Sequence, residues 1–261
     1  MIIHFLLGSG QATLRQVLLA ISIFYQLESV RVRKIGLIGG MSFEGSAVYY
    51  RKINEAVCER LGGLHSAELL LHSVDFQTIV DMQKSGRWDD AGERLADVAR
   101  GLEAAGAESV MICAVTMHLV ADTVEASVDV PFIHIIDETA RRLKAAGCYK
   151  PLLLATRYTM ENGFYQTRIR PHGIDVMVPD AEARERTHNI IFDELSVGKV
   201  LGQSRDDLIL MIEAAKAEGA DSVIFGCTEI CLILETDKLP LPGFDSTAIH
   251  AEAAVEFAFG D

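Results

Sequence analysis

Short apolar runs bounded by glycine alternate along this chain with longer stretches whose apolar residues recur at helical spacing. The short runs predict buried strands at Lys34–Ile38, Ala67–Val74, Ser109–Cys113, Pro131–Ile135, Pro151–Ala155, Ile174–Val178 and Ser222–Phe225. The longer stretches predict helices over Ala47–Leu61, Trp88–Ala105, His118–Ala126 and Glu138–Ala146. Further helices are predicted over Met160–Arg170, Glu182–Val197, Ser204–Ala217 and Thr247–Phe259. Gly62, Gly106, Gly147, Gly198 and Gly219 stand where several of them must stop. Strands alternating with longer helices imply βαβ units, a mainly parallel sheet and helices on both of its faces. An α/β class follows, with ligand chemistry expected beyond the carboxyl ends of the strands.

Two stretches read almost alike. Gly106-Ala107-Glu108-Ser109-Val110-Met111-Ile112-Cys113-Ala114-Val115-Thr116 matches Gly219-Ala220-Asp221-Ser222-Val223-Ile224-Phe225-Gly226-Cys227-Thr228-Glu229. The interval is far too wide for a solenoid and points to two related half-domains. In register, the thiol of Cys227 falls where the first copy has the methyl of Ala114.

Length supports that division, since 261 residues suit two units better than one. The expected boundaries are an extension at 1–33, a first lobe at 34–137, a second lobe at 138–243 and a closing helix at 244–261 that returns to the first lobe. Within the extension, Gln16–Tyr25 reads as an amphipathic helix, which either lies outside the core or packs on the body or a partner chain. Net charge of −13 argues against nucleic acid, because a binder needs a basic stripe to displace counterions. No apolar stretch reaches the roughly 20 residues of a membrane helix. Cys58, Cys113, Cys148, Cys227 and Cys231 are odd in number and irregular in spacing, which favours free thiols, a reducing cytoplasm and no zinc site. Gly39-Gly40 resembles a phosphate turn, but neither GxGxxG nor a Walker lysine accompanies it.

Facing half-domains with a proton carrier at each strand tip suit a reaction that removes a proton from one face of a carbon and returns it to the other. Such a carbon acid is weak, so the bases must be held close and the carbanion's carboxylate held by donors. Cys227 stands at a predicted strand end beside Gly226, where backbone approaches a ligand closely. The competing reading of Cys227 is a buried structural thiol.

The chain resembles the aspartate/glutamate racemases, two-cysteine enzymes that work without a cofactor, and in particular their bacterial broad-specificity branch. The resemblance rests on Lys34-Ile-Gly-Leu-Ile-Gly-Gly-Met-Ser42, Tyr49-Tyr50-Arg51, Gly62-Gly-Leu-His-Ser66 and His72-Ser-Val-Asp-Phe76. It continues through Thr116-Met117-His118, Thr156-Arg-Tyr-Thr-Met160, Phe225-Gly-Cys-Thr-Glu229, Phe244-Asp245 and Ala248-Ile-His-Ala-Glu252. It implies two pseudo-symmetric α/β lobes, an active site in the cleft between them, a small acidic amino acid or dicarboxylate as ligand, neither pyridoxal phosphate nor metal, and a homodimer. It further implies that Cys227 is a catalytic base and Thr228 its carboxylate-binding neighbour. Met41, Gln83, Val115 and Thr116 fall at substrate-contacting positions, and Arg186 at a lysine near the substrate's acidic end.

The departure lies at the first tip. The family has Cys-Asn-Thr there, and its nearest branch Thr-Asn-Thr, whereas this chain has Ala114-Val115-Thr116. Ala114 carries no transferable proton. Neighbouring Cys113 should point to the opposite face of the strand, unless a kinked strand end redirects it. His118 reads first as a helix cap and second as an aid to a base. Glu229 either polarises the site or complements a helix dipole. His250 and Glu252 suit a contact between lobes better than a cleft position. Asp75 and Arg157 each have a structural and a ligand-binding reading. The expected function is a racemase-like enzyme with weak racemisation. The alternatives are a single-cysteine malonate-type decarboxylase and a non-catalytic dicarboxylate-binding relative.

Overall fold

A computed structural model describes residues 31–260. The expected helix Gln16–Tyr25, and most of the expected extension, lie outside the described residues. The first sheet is built from β1 (Ile35–Gly39), β2 (Leu69–Ser73) and β3 (Ser109–Ile112) in the order β2-β1-β3, all parallel. The second is built from β4 (Pro151–Ala155), β5 (Ser222–Gly226) and β6 (Gly243–Asp245) in the order β4-β5-β6, again parallel. The longer helices are α1 (Phe43–Leu61), α2 (Phe76–Lys84), α3 (Trp88–Ala104), α4 (Ile135–Ala145), α5 (Ala181–Asn189), α6 (Gly202–Ala217) and α7 (Ser246–Phe259). None of the described helices is long and apolar enough to cross a membrane.

Two predicted strands shrink to single bridges, Phe132 beside Val110 and Met177 beside Leu152. Pro131 and Pro179 stand close by, and proline withholds a ladder donor. Counting those bridges, both sheets have the same strand order. The four extended segments of each half run, in chain order, at sheet positions two, one, three and four.

The likeness extends to individual hydrogen bonds. Ser109 pairs with Ile35 in one sheet and Ser222 with Pro151 in the other. Gly106 (φ +93°) and Gly219 (φ +95°) end the preceding helices in a conformation that favours glycine. Glu108 accepts from the Lys34 N–H at 3.0 Å, and Asp221 from the Lys150 N–H at 2.8 Å. Val110 N–H donates to Pro131 and Val223 N–H to Pro242. The acidic residue in each repeat thus ties the start of β3 or β5 to the strand beside it.

Several helices depart from prediction at their ends. The Met160–Arg170 stretch breaks into short helices, Arg157–Glu161 and Phe164–Ile169, because Gly163 adopts φ +77° between them. The Glu182–Val197 stretch is α-helical only to Asn189. A π-turn then covers Ile190–Glu194 and a 3-10 turn Leu195–Val197. Helix α2 was not foreseen. Asp75 caps it, accepting from Gln77 N–H and the Thr78 hydroxyl, a contact worth about 1 kcal/mol.

Helix α7 lays Ala251, Ala254, Val255 and Ala258 against Ile35, Leu37, Tyr49 and Ile53. Three buried histidines pack around its base. Ring centroids of His118 and His134 lie 4.7 Å apart, and those of His118 and His250 5.7 Å apart. His250 Nε2 donates to the Ile133 carbonyl at 2.8 Å, so Nδ1 accepts from the Tyr49 hydroxyl at 2.9 Å. His118 Nδ1 donates to the Ala114 carbonyl at 3.0 Å, and Nε2 accepts from Ile135 N–H. His118 and His250 therefore each use one nitrogen as donor and one as acceptor, which only neutral imidazole can do. Burial depresses His118 to about 4 and His250 to about 3.

These groups gain protons on unfolding, so their stabilisation is complete above pH ~6.5 and is lost as pH falls towards 4 and then 3. Urea unfolding should show stability falling by up to about 1.4 kcal/mol per pH unit for each such histidine. His250→Gln should flatten the slope by one proton. An unchanged slope in that variant overturns the assignment.

Candidate active site

The tips of both sheets meet around a recess of ≈ 490 Å³, part of it open to solvent. Two hydrogen-bonded contacts join the halves there. Ser42, just beyond β1, donates to Glu229 Oε1 at 2.8 Å. Thr116, just beyond β3, shares its hydroxyl with Thr156 at 2.9 Å and Thr159 at 3.0 Å, just beyond β4. Ser42 and Thr156 are equivalent, since each caps the helix after the first strand of its half. Thr116 and Glu229 are equivalent in the internal repeat. One inter-lobe contact is therefore the topological counterpart of the other.

Glycines bring the Ser42 turn into place. Gly40 has φ +93°, and a Cβ there would meet the Val74 carbonyl at 2.2 Å. At Gly45 a Cβ would come within 2.7 Å of the Thr228 hydroxyl. The first turn of α1 can thus sit directly on the second tip.

That tip concentrates the chemistry. Cys227 is buried, and its Sγ donates to Glu229 Oε2 at 2.8 Å. The Thr228 hydroxyl donates to the same oxygen at 2.6 Å. Glu229 is therefore a buried carboxylate holding a thiol and two hydroxyls, an arrangement that suits the polarising reading better than the helix-dipole one. Burial comes first in pushing the Cys227 thiol well above its ordinary value, and the neighbouring Glu229 charge adds to it. At rest the sulfur is a protonated thiol.

Across the recess the first tip offers no such group. Ala114 and Val115 line it with Met117, and Val115 also packs into the core with Ile135 and Leu153. Cys113 is fully buried against Leu37, Tyr49 and Ala254, away from the recess, and burial raises its thiol strongly. The alternation of side chains along β3 continues to its end, and no kink brings that sulfur round.

Met41, Gln83, Ala114, Val115, Thr116, Cys227 and Thr228 all line the recess. Gln83 is buried, with its amide 3.1 Å from the Met117 sulfur. Arg186 does not line it. Its guanidinium binds Asp207 at 2.9 Å, Glu194 at 3.1 Å and Ser204 at 3.0 Å, which satisfies it elsewhere on the second lobe. Asp75 is a helix cap, His118 and His250 are buried framework, and exposed Arg157 lies outside the lining. Glu252 pairs with Arg142 at 2.6 Å, on the surface between α4 and α7.

Sequence reasoning missed Phe76, Tyr158, Ile191, Phe192 and Ser196 as lining residues. Phe76 and Tyr158 lay within motifs already singled out. Ile191 and Phe192 are delivered by the π-turn, a feature frequent at functional sites that helical spacing does not reveal.

The family model described as Asp/Glu/Hydantoin racemase matches residues 38–254. The broad specificity amino-acid racemase RacX of Bacillus subtilis (strain 168) is 21% identical over 225 residues, which is 85% of this chain and 96% of RacX. A crystal structure from Yersinia pestis, of a protein provisionally described as an Asp/Glu racemase, is 47% identical. It covers 87% of this chain and 99% of its own, with a TM-score of 0.81. An aspartate racemase homologue from Pyrococcus horikoshii OT3 is 35% identical, with coverage of 87% and 99% and a TM-score of 0.77.

Replacing the carboxylate tests the electrostatics. Glu229→Gln should let the Cys227 thiolate form at lower pH than in the wild type, because a raising charge has gone. The alkylation rate against pH, with Cys227→Ser as blank, reads this out. An unchanged or higher titration refutes it.

Proposed function

Because the chain belongs to the Asp/Glu/Hydantoin racemase family, we propose that it removes and returns the α-proton of a small amino acid bound between its lobes, with Cys227 as the proton carrier. The observation that carries this reading is the Cys227 thiol, bonded to Glu229 at 2.8 Å and lining the same inter-lobe recess as Ala114 and Thr116. The thiol proton passes from Sγ to the Glu229 carboxylate, leaving a thiolate. The thiolate takes the α-proton as the C–H electron pair moves towards the substrate carboxylate. Thr116 and Thr228, one from each tip, become donors for that carboxylate by turning their hydroxyl protons away from Thr156 and Glu229 when it binds. The pair keeps one negative charge, now on sulfur, and the ammonium group of a bound amino acid offsets the cost of holding that thiolate in a buried site. Reprotonation by the Cys227 thiol restores the starting enantiomer.

The other face of the α-carbon looks towards Ala114, which has no proton to give. Exchange without inversion is then the dominant reaction, and inversion depends on water entering the recess. Racemisation much weaker than exchange is the expected consequence. Aspartate and glutamate, named for the family, are the first substrates to try, and two copies of the chain are the expected assembly.

A second reading draws on the same thiol. A sulfur that stays protonated suits delivery of a proton to a carbanion formed by loss of carbon dioxide. The apolar wall of Ala114 and Val115 suits the face opposite. Decarboxylation of a prochiral malonate, lost in Cys227→Ala, would favour that reading over the first.

In deuterated water, NMR should show α-proton exchange exceeding inversion in the wild type. Cys227→Ala should lower exchange by roughly 10²–10⁴-fold, the usual contribution of a positioned acid–base group. Ala114→Cys, which restores a thiol to the first tip, should raise inversion relative to exchange. Equal rates of inversion and exchange in the wild type would sink the one-sided reading.

A further inference from the structure

The walls of the recess say more about the substrate than the family name does. Resting on the reading above, we infer that the recess takes an amino acid with an uncharged, apolar side chain of leucine or methionine type in preference to an acidic one. Met41, Phe76 and Met117 line it from the first lobe, and Tyr158, Ile191 and Phe192 from the second. Two of these lining rings are backed by further rings. Trp88 and Tyr158 meet edge-on across the lobes, with centroids 5.7 Å apart, and His188 packs on Phe192 at 4.6 Å.

The charge among these lining residues is that of Glu229, and it is negative. It is held by Ser42, Cys227 and Thr228, all of them neutral groups. A substrate's ammonium group complements that charge. A second substrate carboxylate has to shed its water between aromatic and thioether walls, with a like charge nearby. The guanidinium that the resemblance places at the acidic end of a substrate is held by Asp207 and Glu194 on the second lobe. An apolar side chain entering the same walls gains the burial that the carboxylate forfeits.

The test is calorimetric titration of the whole protein with each enantiomer of leucine, methionine, aspartate and glutamate, alongside α-proton exchange on the same eight compounds. Leucine or methionine binding at least tenfold tighter than either acid is the expected result. Equal or tighter binding of aspartate or glutamate overturns the inference, as does binding of none of the eight. If the acids win and Arg157→Ala abolishes their binding, Arg157 folds into the site and the inference is wrong for that reason. Exchange is scored separately. Binding of leucine or methionine without exchange removes the catalytic reading and upholds the side-chain preference. Exchange on aspartate alone does the reverse. Phe192→Arg places a cation at a partly exposed lining position and should shift the preference towards the acids by at least tenfold. Ser196→Arg, also at a partly exposed position, provides the same test should the first variant fold poorly. No shift in either folded variant counts against the inference.

Discussion

The structure depends on how two separate sheets are held tip to tip. Each lobe contributes a helix-capping hydroxyl after its first strand and a polar residue after its third, and these cross over. Ser42 reaches Glu229, and Thr156 reaches Thr116. Both contacts are buried or partly buried, so their donors and acceptors find little replacement in water if the lobes part. Gly45 removes the Cβ that would otherwise collide with Thr228. The recess is what remains between these contacts. The strand ends bring its two tips together, and α2, the Arg157–Glu161 helix and the π-turn complete its walls.

The chemistry is unequal although the framework is repeated. Ala114-Val115-Thr116 and Cys227-Thr228-Glu229 occupy matching turns after matching strands. In the second, sulfur, hydroxyl and carboxylate form one hydrogen-bonded group, and in the first only the hydroxyl of Thr116 remains. That hydroxyl is itself spent on Thr156 and Thr159. A proton therefore has a carrier on one side of the recess and none among the first-tip side chains on the other. Neutral donors do not offset the Glu229 charge, so the resting thiol keeps its proton. On the function proposed above, a cationic group on the ligand supplies the missing offset, which makes substrate and base interdependent.

Much of this was legible in the chain because repetition and glycine placement are local signals. Gly106 and Gly219, the acidic residues after them and the β-branched runs that follow identify β3 and β5 and bring Ala114 and Cys227 into register. The single bridges at Phe132 and Met177 were overread as strands, since apolar runs do not reveal how few ladder bonds survive beside a proline. The π-turn at Ile190–Glu194 was unreadable, because nothing in a helical period marks where one extra residue will be accommodated. Arg186 shows a different limit. A family position predicts a neighbourhood, but Asp207 and Glu194, brought close by α6 and the π-turn, decide where the guanidinium goes. Glu229 kept two readings in the sequence, because nothing local separates an acid that polarises the site from one that complements a helix dipole until Ser42, 187 residues away, is placed against it.

The two tips differ in how far the fold depends on their side chains. Its backbone is fixed by contacts that ignore the side chain at position 114. His118 binds the Ala114 carbonyl, Val115 anchors in the core, and Thr116 holds the opposite lobe. The Ala114 methyl group takes part in none of the three, and lines the recess beside Phe76 and Met117. Position 229 has no such freedom, since its carboxylate holds Cys227, Thr228 and Ser42 together and joins the halves. Substitution at position 114 therefore changes the lining of the recess while the contacts that fix the turn stay in place. The same substitution at the second tip alters stability, thiol ionisation and lobe contact together.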